Sequence, residues 1–105
     1  MANETIFPEN NEVSGLRITE VQVFPFKESP SLGHIRGFAQ IVLNGCIQIR
    51  GLRVMDGPNG LFVAYPLDPF YKGEDFRSIV TPLDSGFRSF VEEAVLSKYR
   101  EATQD

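Results

Sequence analysis

Asn44-Gly45 is the feature that most narrows the folds open to this chain. The pair lies between two runs rich in Ile, Val and Leu, 35–43 and 46–55. It is the strongest short-range signal for a type I′ hairpin, in which both central residues take positive φ. A two-residue turn also implies a register, with Leu43 opposite Cys46 and Ile41 opposite Gln48. Gly51 then interrupts the alternation. Ile47 and Ile49 point to one face, whereas Leu52 and Val54 would point to the other in a regular strand. A β-bulge at Gly51 returns all four to one buried face. It also sets Arg50 and Arg53 together on the outer face, with Arg36 within one residue of lying opposite Arg53.

The neighbouring segments extend this hairpin into a sheet. Leu16 to Phe24 reads as a strand closed by Pro25, and 27–33 as a loop. Asp56-Gly57-Pro58-Asn59-Gly60 is a tight turn with positive φ expected at Gly57 and Gly60. Leu61 to Tyr65 is a short strand ended by Pro66, and 67–75 is irregular. Phe76 to Thr81 reads as a last short strand. A helix follows, capped by Ser85 or Asp84 and running to about Glu101. Its apolar positions are Phe87, Phe90, Val91, Ala94 and Val95. Arg88 and Glu92 form an i, i+4 pair on the wet side. Leu96 points away from the apolar stripe and is a candidate dimer contact. The predicted class is α+β: an antiparallel sheet of four to five strands with a C-terminal helix packed on one face. One helix cannot seal both faces, so the other meets water or a partner.

At 105 residues the chain is one domain with a modest core. Residues 1–15 are expected to be a disordered extension and 16–105 the folded domain. No secretory leader is evident, no apolar run is long enough for a membrane span, and Cys46 is the only cysteine. A cytoplasmic location in a reducing compartment is therefore expected. The net charge is −4, but residues 16–54 hold five basic side chains against two acidic ones. A local basic patch is compatible with that balance.

The inventory argues against an enzyme. His34 and Cys46 are the only residues of their kinds, and the hairpin register holds them about 30 Å apart, beyond the reach of a nucleophile pair. Zinc needs three or four ligands, and one His with one Cys is poor stock. Cys46 reads as a small strand filler and His34 as a plain strand-end residue. The carboxylate pairs Glu74-Asp75 and Glu92-Glu93 are sequence neighbours that diverge, so they read as solvated surface. No catalytic residue, metal, cofactor or small-molecule substrate is expected.

The run Leu52-Arg53-Val54-Met55-Asp56-Gly57-Pro58-Asn59-Gly60-Leu61-Phe62-Val63-Ala64 resembles the central signature of the stage V sporulation protein G (SpoVG) family. Leu16-Arg17-Ile18-Thr19-Glu20-Val21 is similar to the family's opening strand. Gly73-Glu74-Asp75-Phe76-Arg77-Ser78-Ile79 is similar to its Gly-x-x-Phe-Arg-x-Ile segment, with one additional acidic residue. Pro82-Leu83-Asp84-Ser85-Gly86-Phe87-Arg88 and the later Ala94-Val95-Leu96 and Tyr99 resemble its helix. The likeness spans about 16–100. It implies a non-enzymatic homodimeric regulator, linked to septation and sporulation, that binds DNA or RNA. It also directs attention to Lys72, Arg77 and Arg88, which join Arg36, Arg50 and Arg53 as candidate nucleic-acid contacts. Two departures stand out. Where the family has Met-Pro-Ser followed by basic residues, this chain has Tyr65-Pro66-Leu67-Asp68-Pro69, leaving Lys72 as the only basic residue of that loop. Val80-Thr81-Pro82 replaces Ala-His-Pro. A protein-interaction module of cell division without nucleic-acid binding is the alternative expectation.

Overall fold

The fold is given by a computed structural model that describes residues 12–13, 15–27 and 33–104. Most of the expected N-terminal extension (1–11) and of the 27–33 loop (28–32) lies outside the described residues. Five strands form one antiparallel sheet in sequence order, β1 (Glu12–Val13), β2 (Leu16–Pro25), β3 (Ile35–Leu43), β4 (Ile47–Gly57) and β5 (Gly60–Ala64), followed by α1 (Ser85–Thr103). The α+β reading with one C-terminal helix holds. Within the expected tail, Glu12–Val13 pair with Arg17 and Leu16.

The Asn44-Gly45 turn forms as predicted, with φ of 53° and 63° and the Cys46 N–H donating to the Leu43 carbonyl at 2.9 Å. The register beyond it does not. Leu43 pairs with Ile47 and Ile41 with Ile49, so Cys46 is an extra residue, exposed at the turn rather than filling a strand. The reason is burial. A one-residue slip moves a whole strand's side chains to the other face, and only with Cys46 set aside does Ile49 join Ile41 and Leu43. Strand β2 holds the turn in this form. The Arg17 N–H donates to Asn44 Oδ1, the Asn44 N–H to the Arg17 carbonyl, and the Gly45 N–H to Thr19 Oγ1. Thr19 itself lies at an irregularity between the Ile18–Leu43 and Glu20–Val42 pairs.

The predicted bulge at Gly51 is present. Ala39 pairs with Leu52 while Ile41 pairs with Ile49, so Arg50 and Gly51 together oppose one residue, with Gly51 at φ 84°. Ile47, Ile49, Leu52 and Val54 thus share a face. The first lies at the sheet's end and is exposed, whereas Leu52 and Val54 are fully buried. At the β4–β5 turn, Gly60 has positive φ and Gly57 does not. Gly57 instead pairs with Gly60 inside the ladder. Its lack of a side chain admits the Phe62 ring, which a Cβ would meet at 2.8 Å.

Two further expectations are corrected. Phe76–Thr81 is not a strand. The segment between β5 and α1 is closed by a single bridge, Leu67 to Ser78, with backbone bonds from Asp68 N–H to the Arg77 carbonyl and Ile79 N–H to the Pro66 carbonyl. Pro66, Pro69 and Pro82 cannot donate to a ladder, which limits pairing there to one rung. Leu96 is 8% exposed and belongs to the core with Val91 and Val95, so it offers no surface for a dimer contact. The helix packs chiefly on β2 and also meets β5 and β4. Its buried arc is therefore wider than a single stripe and takes in the residue after Val95.

The core is the helix-facing layer: Ile18 and Val21 from β2, Ala39, Ile41 and Leu43 from β3, Leu52 and Val54 from β4, Val63 from β5, and the helix residues. Asp84 rather than Ser85 is the cap, its Oδ2 accepting from the Phe87 N–H at 2.7 Å.

Candidate nucleic-acid interface

The six predicted contacts fall into two groups. On the sheet face away from the helix, Arg53 lies in register with Phe38 of β3 and Ala64 of β5. Its Nη2 donates to the Tyr65 carbonyl at 2.7 Å, which fixes the side chain and leaves further guanidinium donors. Arg50 occupies the bulge, and its Nε donates to Gln48 Oε1 at 3.0 Å. Gln48 opposes Val42, so Arg50 reaches over this same outer face. Arg36 is less available than expected. It sits where β3 carries an extra residue between the Gly37–Val54 and Ile35–Met55 pairs. Its guanidinium meets Asp56 Oδ2 at 3.1 Å and donates to the Gly33 carbonyl. Two residues, not one, separate it from the position opposite Arg53.

The second group lies between β5 and the helix. Arg77 pairs with Asp68 Oδ2 at 3.1 Å and stacks over Tyr71 at 4.6 Å. Arg88 lies over the Tyr65 ring at 5.5 Å and makes no pair with Glu92. Lys72 is exposed in the connecting segment. Asp68 has a structural task here. It accepts from the Phe70 N–H at 2.9 Å as well as from Arg77, and these bonds hold its carboxyl below the ordinary carboxylate range.

Several side chains of consequence lie outside the predicted set. Glu92 is not plain solvated surface: its Oε2 accepts from the Val63 N–H at 3.1 Å, satisfying a backbone donor of the edge strand β5. Tyr65 is buried with its hydroxyl unpaired. Burial pushes the phenol pKa up, Arg88 partly offsets this, and Glu92 adds to it. The largest omission is aromatic. Phe24 and Phe38 are direct cross-strand neighbours on the open face, 52% and 45% exposed. Phe62, opposite Met55 on the same face, is 40% exposed. Phe26 sets its edge against Phe38, centroids 5.1 Å apart. A depression of about 470 Å³ borders Phe62, lined also by His34, Met55, Asp56, Gly57 and Pro58. The signal that could have found Phe38 is the period-two alternation of 35–43, which puts it on the face opposite Ala39.

The helix-side connector exposes a different apolar set. Phe76 is 86% and Leu83 94% exposed, and Phe70 and Ile79 are also open to solvent. No helix among the described residues is long and apolar enough to cross a membrane.

Residues 16–101 match the family model described as SpoVG. A protein from Oceanobacillus iheyensis named for the septation protein SpoVG is 45% identical over 73 residues, covering 70% of this chain and 75% of its own. A Bdellovibrio bacteriovorus protein of the same name is 34% identical over 84 residues, 80% of this chain and 73% of its own. A Bacillus cereus relative is 45% identical over 67 residues, 64% of this chain and 68% of its own.

Proposed function

The chain belongs to the SpoVG family, and from that premise we propose a small, non-catalytic homodimer that binds DNA or RNA and serves septation and the gene regulation tied to it. The septation role rests on the names of the relatives. The observation that carries nucleic-acid binding is that Arg50 and Arg53 share the open sheet face and have no carboxylate partner among the described residues. Guanidinium groups so placed suit phosphate oxygens. Self-association is supported by the connector's exposed Phe70, Phe76, Ile79 and Leu83, an apolar set of the kind that marks contact surfaces.

The test is a mobility shift with mixed duplex DNA and RNA at two salt concentrations. Binding is expected to weaken with salt, with a slope of about −0.9 per phosphate contacted on duplex DNA. It is also expected to fall in Arg50→Glu and Arg53→Glu. Unchanged affinity in both variants removes this face from the reading.

A protein-interaction module without nucleic-acid binding is the second reading. It is favoured by the loss of Arg36 and Arg77 to their acidic partners. Retention of a septal protein partner, with no nucleic acid bound at physiological salt, would select it.

A further inference from the structure

We infer that the open sheet face is a stacking platform for single-stranded nucleic acid, with Phe24, Phe38 and Phe62 as the stacking rings and Arg50 and Arg53 as the phosphate contacts. The inference rests on the nucleic-acid reading above and goes further by naming the strand state and the surface.

Three features carry it. First, the rings are on the outside by construction. Phe24, Phe38 and Arg53 form one cross-strand row, Phe24 opposite Phe38 and Phe38 opposite Arg53. Their strand neighbours Val23, Ala39 and Val54 belong to or pack on the core. Turning the rings inward would put those core residues in water. Second, the rings are separated enough to serve more than one base. Phe62 lies two strands and two residues from Phe38 through Arg53 and Ala64, about 12 Å by sheet geometry. Third, the rest of the face suits nucleotides. Gln22 and Gln40 lie side by side between strands and bond each other, offering amide donors and acceptors to base edges. The guanidinium groups of Arg50 and Arg53 stand within the same surface and supply charge complementary to phosphate. Among the described residues, Glu20 stands on this face midway along β2 and contacts Gln22, and Asp56, paired with Arg36, lines the depression beside Phe62.

The strand state follows from what aromatic rings need. Bases in a duplex are already stacked on both faces, whereas single-stranded bases offer free faces to a sheet bearing exposed rings and cations. Each stacked ring typically carries about 1–3 kcal/mol, which corresponds to roughly a 5- to 150-fold change in affinity. A face relying on charge alone would instead bind duplex at least as well, through its denser phosphates.

The experiment uses the full chain with a dye-labelled, mixed-sequence 20-nucleotide single strand and the matching duplex, read by fluorescence anisotropy. The single strand is expected to bind tighter than the duplex. Phe24→Ala and Phe62→Ala should each lower its affinity by roughly 5- to 150-fold, with Phe24→Tyr restoring most of the loss. Ring protons of the three phenylalanines in the unmodified protein should shift on adding the single strand, a readout independent of whether any variant folds. Binding that prefers duplex, or that is indifferent to the Ala variants with ring signals unmoved, overturns the platform and leaves the regulator reading standing. Absence of binding by either nucleic acid at low salt overturns both. A drop in molecular mass of the Ala variants on sedimentation, with oligonucleotide affinity unchanged, identifies a second copy of the chain as the occupant and also overturns the platform.

Discussion

The two faces of the sheet are built from the same strands, and they differ in what covers them. One face carries Ile18, Val21, Ala39, Ile41, Leu52, Val54 and Val63 beneath the helix, all buried. The other carries Phe24, Phe38 and Phe62, larger than any of those core side chains and strongly apolar, yet 40–52% exposed. Size and hydrophobicity therefore do not decide burial here. What decides it is which positions of each strand face α1. A single 19-residue helix covers one face, and the aromatic residues on the other are left half exposed.

The contrast can be broken or sharpened by substitution, beginning with the largest effect. Leu52→Ala removes a side chain with no solvent exposure. It should cost about 2–5 kcal/mol in urea unfolding, the usual range for large-to-small core changes. Leu96→Ala should be costly for the same reason, about 2–4 kcal/mol, with no change in oligomeric mass. A small stability loss accompanied by a shift in mass would return Leu96 to the surface.

The helix that makes the two faces unequal depends on its first turn. Asp84→Ala should cost about 1 kcal/mol, measured by thermal unfolding. On the open face, Phe24→Ala should cost less than Leu52→Ala by at least about 1 kcal/mol, since its ring is already half solvated. Equal losses at the two positions would mean that both faces are structural core.

The smallest effect is at Tyr65. Its hydroxyl is buried without a partner, so Tyr65→Phe should be neutral or stabilising by up to about 1 kcal/mol. Burial raises the folded phenol pKa. The unfolded chain therefore gives up this proton first, above its ordinary value of about 10, and stability contributed by the neutral form declines as pH rises from there through the folded value. Removing the hydroxyl should flatten that decline. A steeper decline in the Phe variant would show that the folded state favours the phenolate, with Arg88 outweighing burial.

Legibility in the sequence followed the range of the interaction. The Asn44-Gly45 turn, the Gly51 bulge and the helix cap near Asp84 each arise from a few adjacent residues with a strong backbone preference, and each was readable. The ladder beyond the turn slipped by one residue, because the choice between Cys46 and Ile47 as partner for Leu43 is made by burial against β2 and α1. Phe76–Thr81 has a strand-like composition, but its partner segment around Leu67 is bounded by prolines and accepts one rung. The predicted Gly51 bulge put Arg50 and Arg53 on one face. Local sequence did not reveal that Asp56 would occupy Arg36, that Asp68 would occupy Arg77, or that Glu92 would turn from Arg88 to the Val63 N–H.

Local backbone chemistry and two-residue alternation were enough to determine the first strands, the Asn44-Gly45 turn, the Gly51 bulge and the helix, because these depend on neighbours along the chain. Which face the helix seals, how many phenylalanines remain uncovered, and which cations keep a free charge were decided only when distant segments met. Burial and ion pairing depend on neighbours in space.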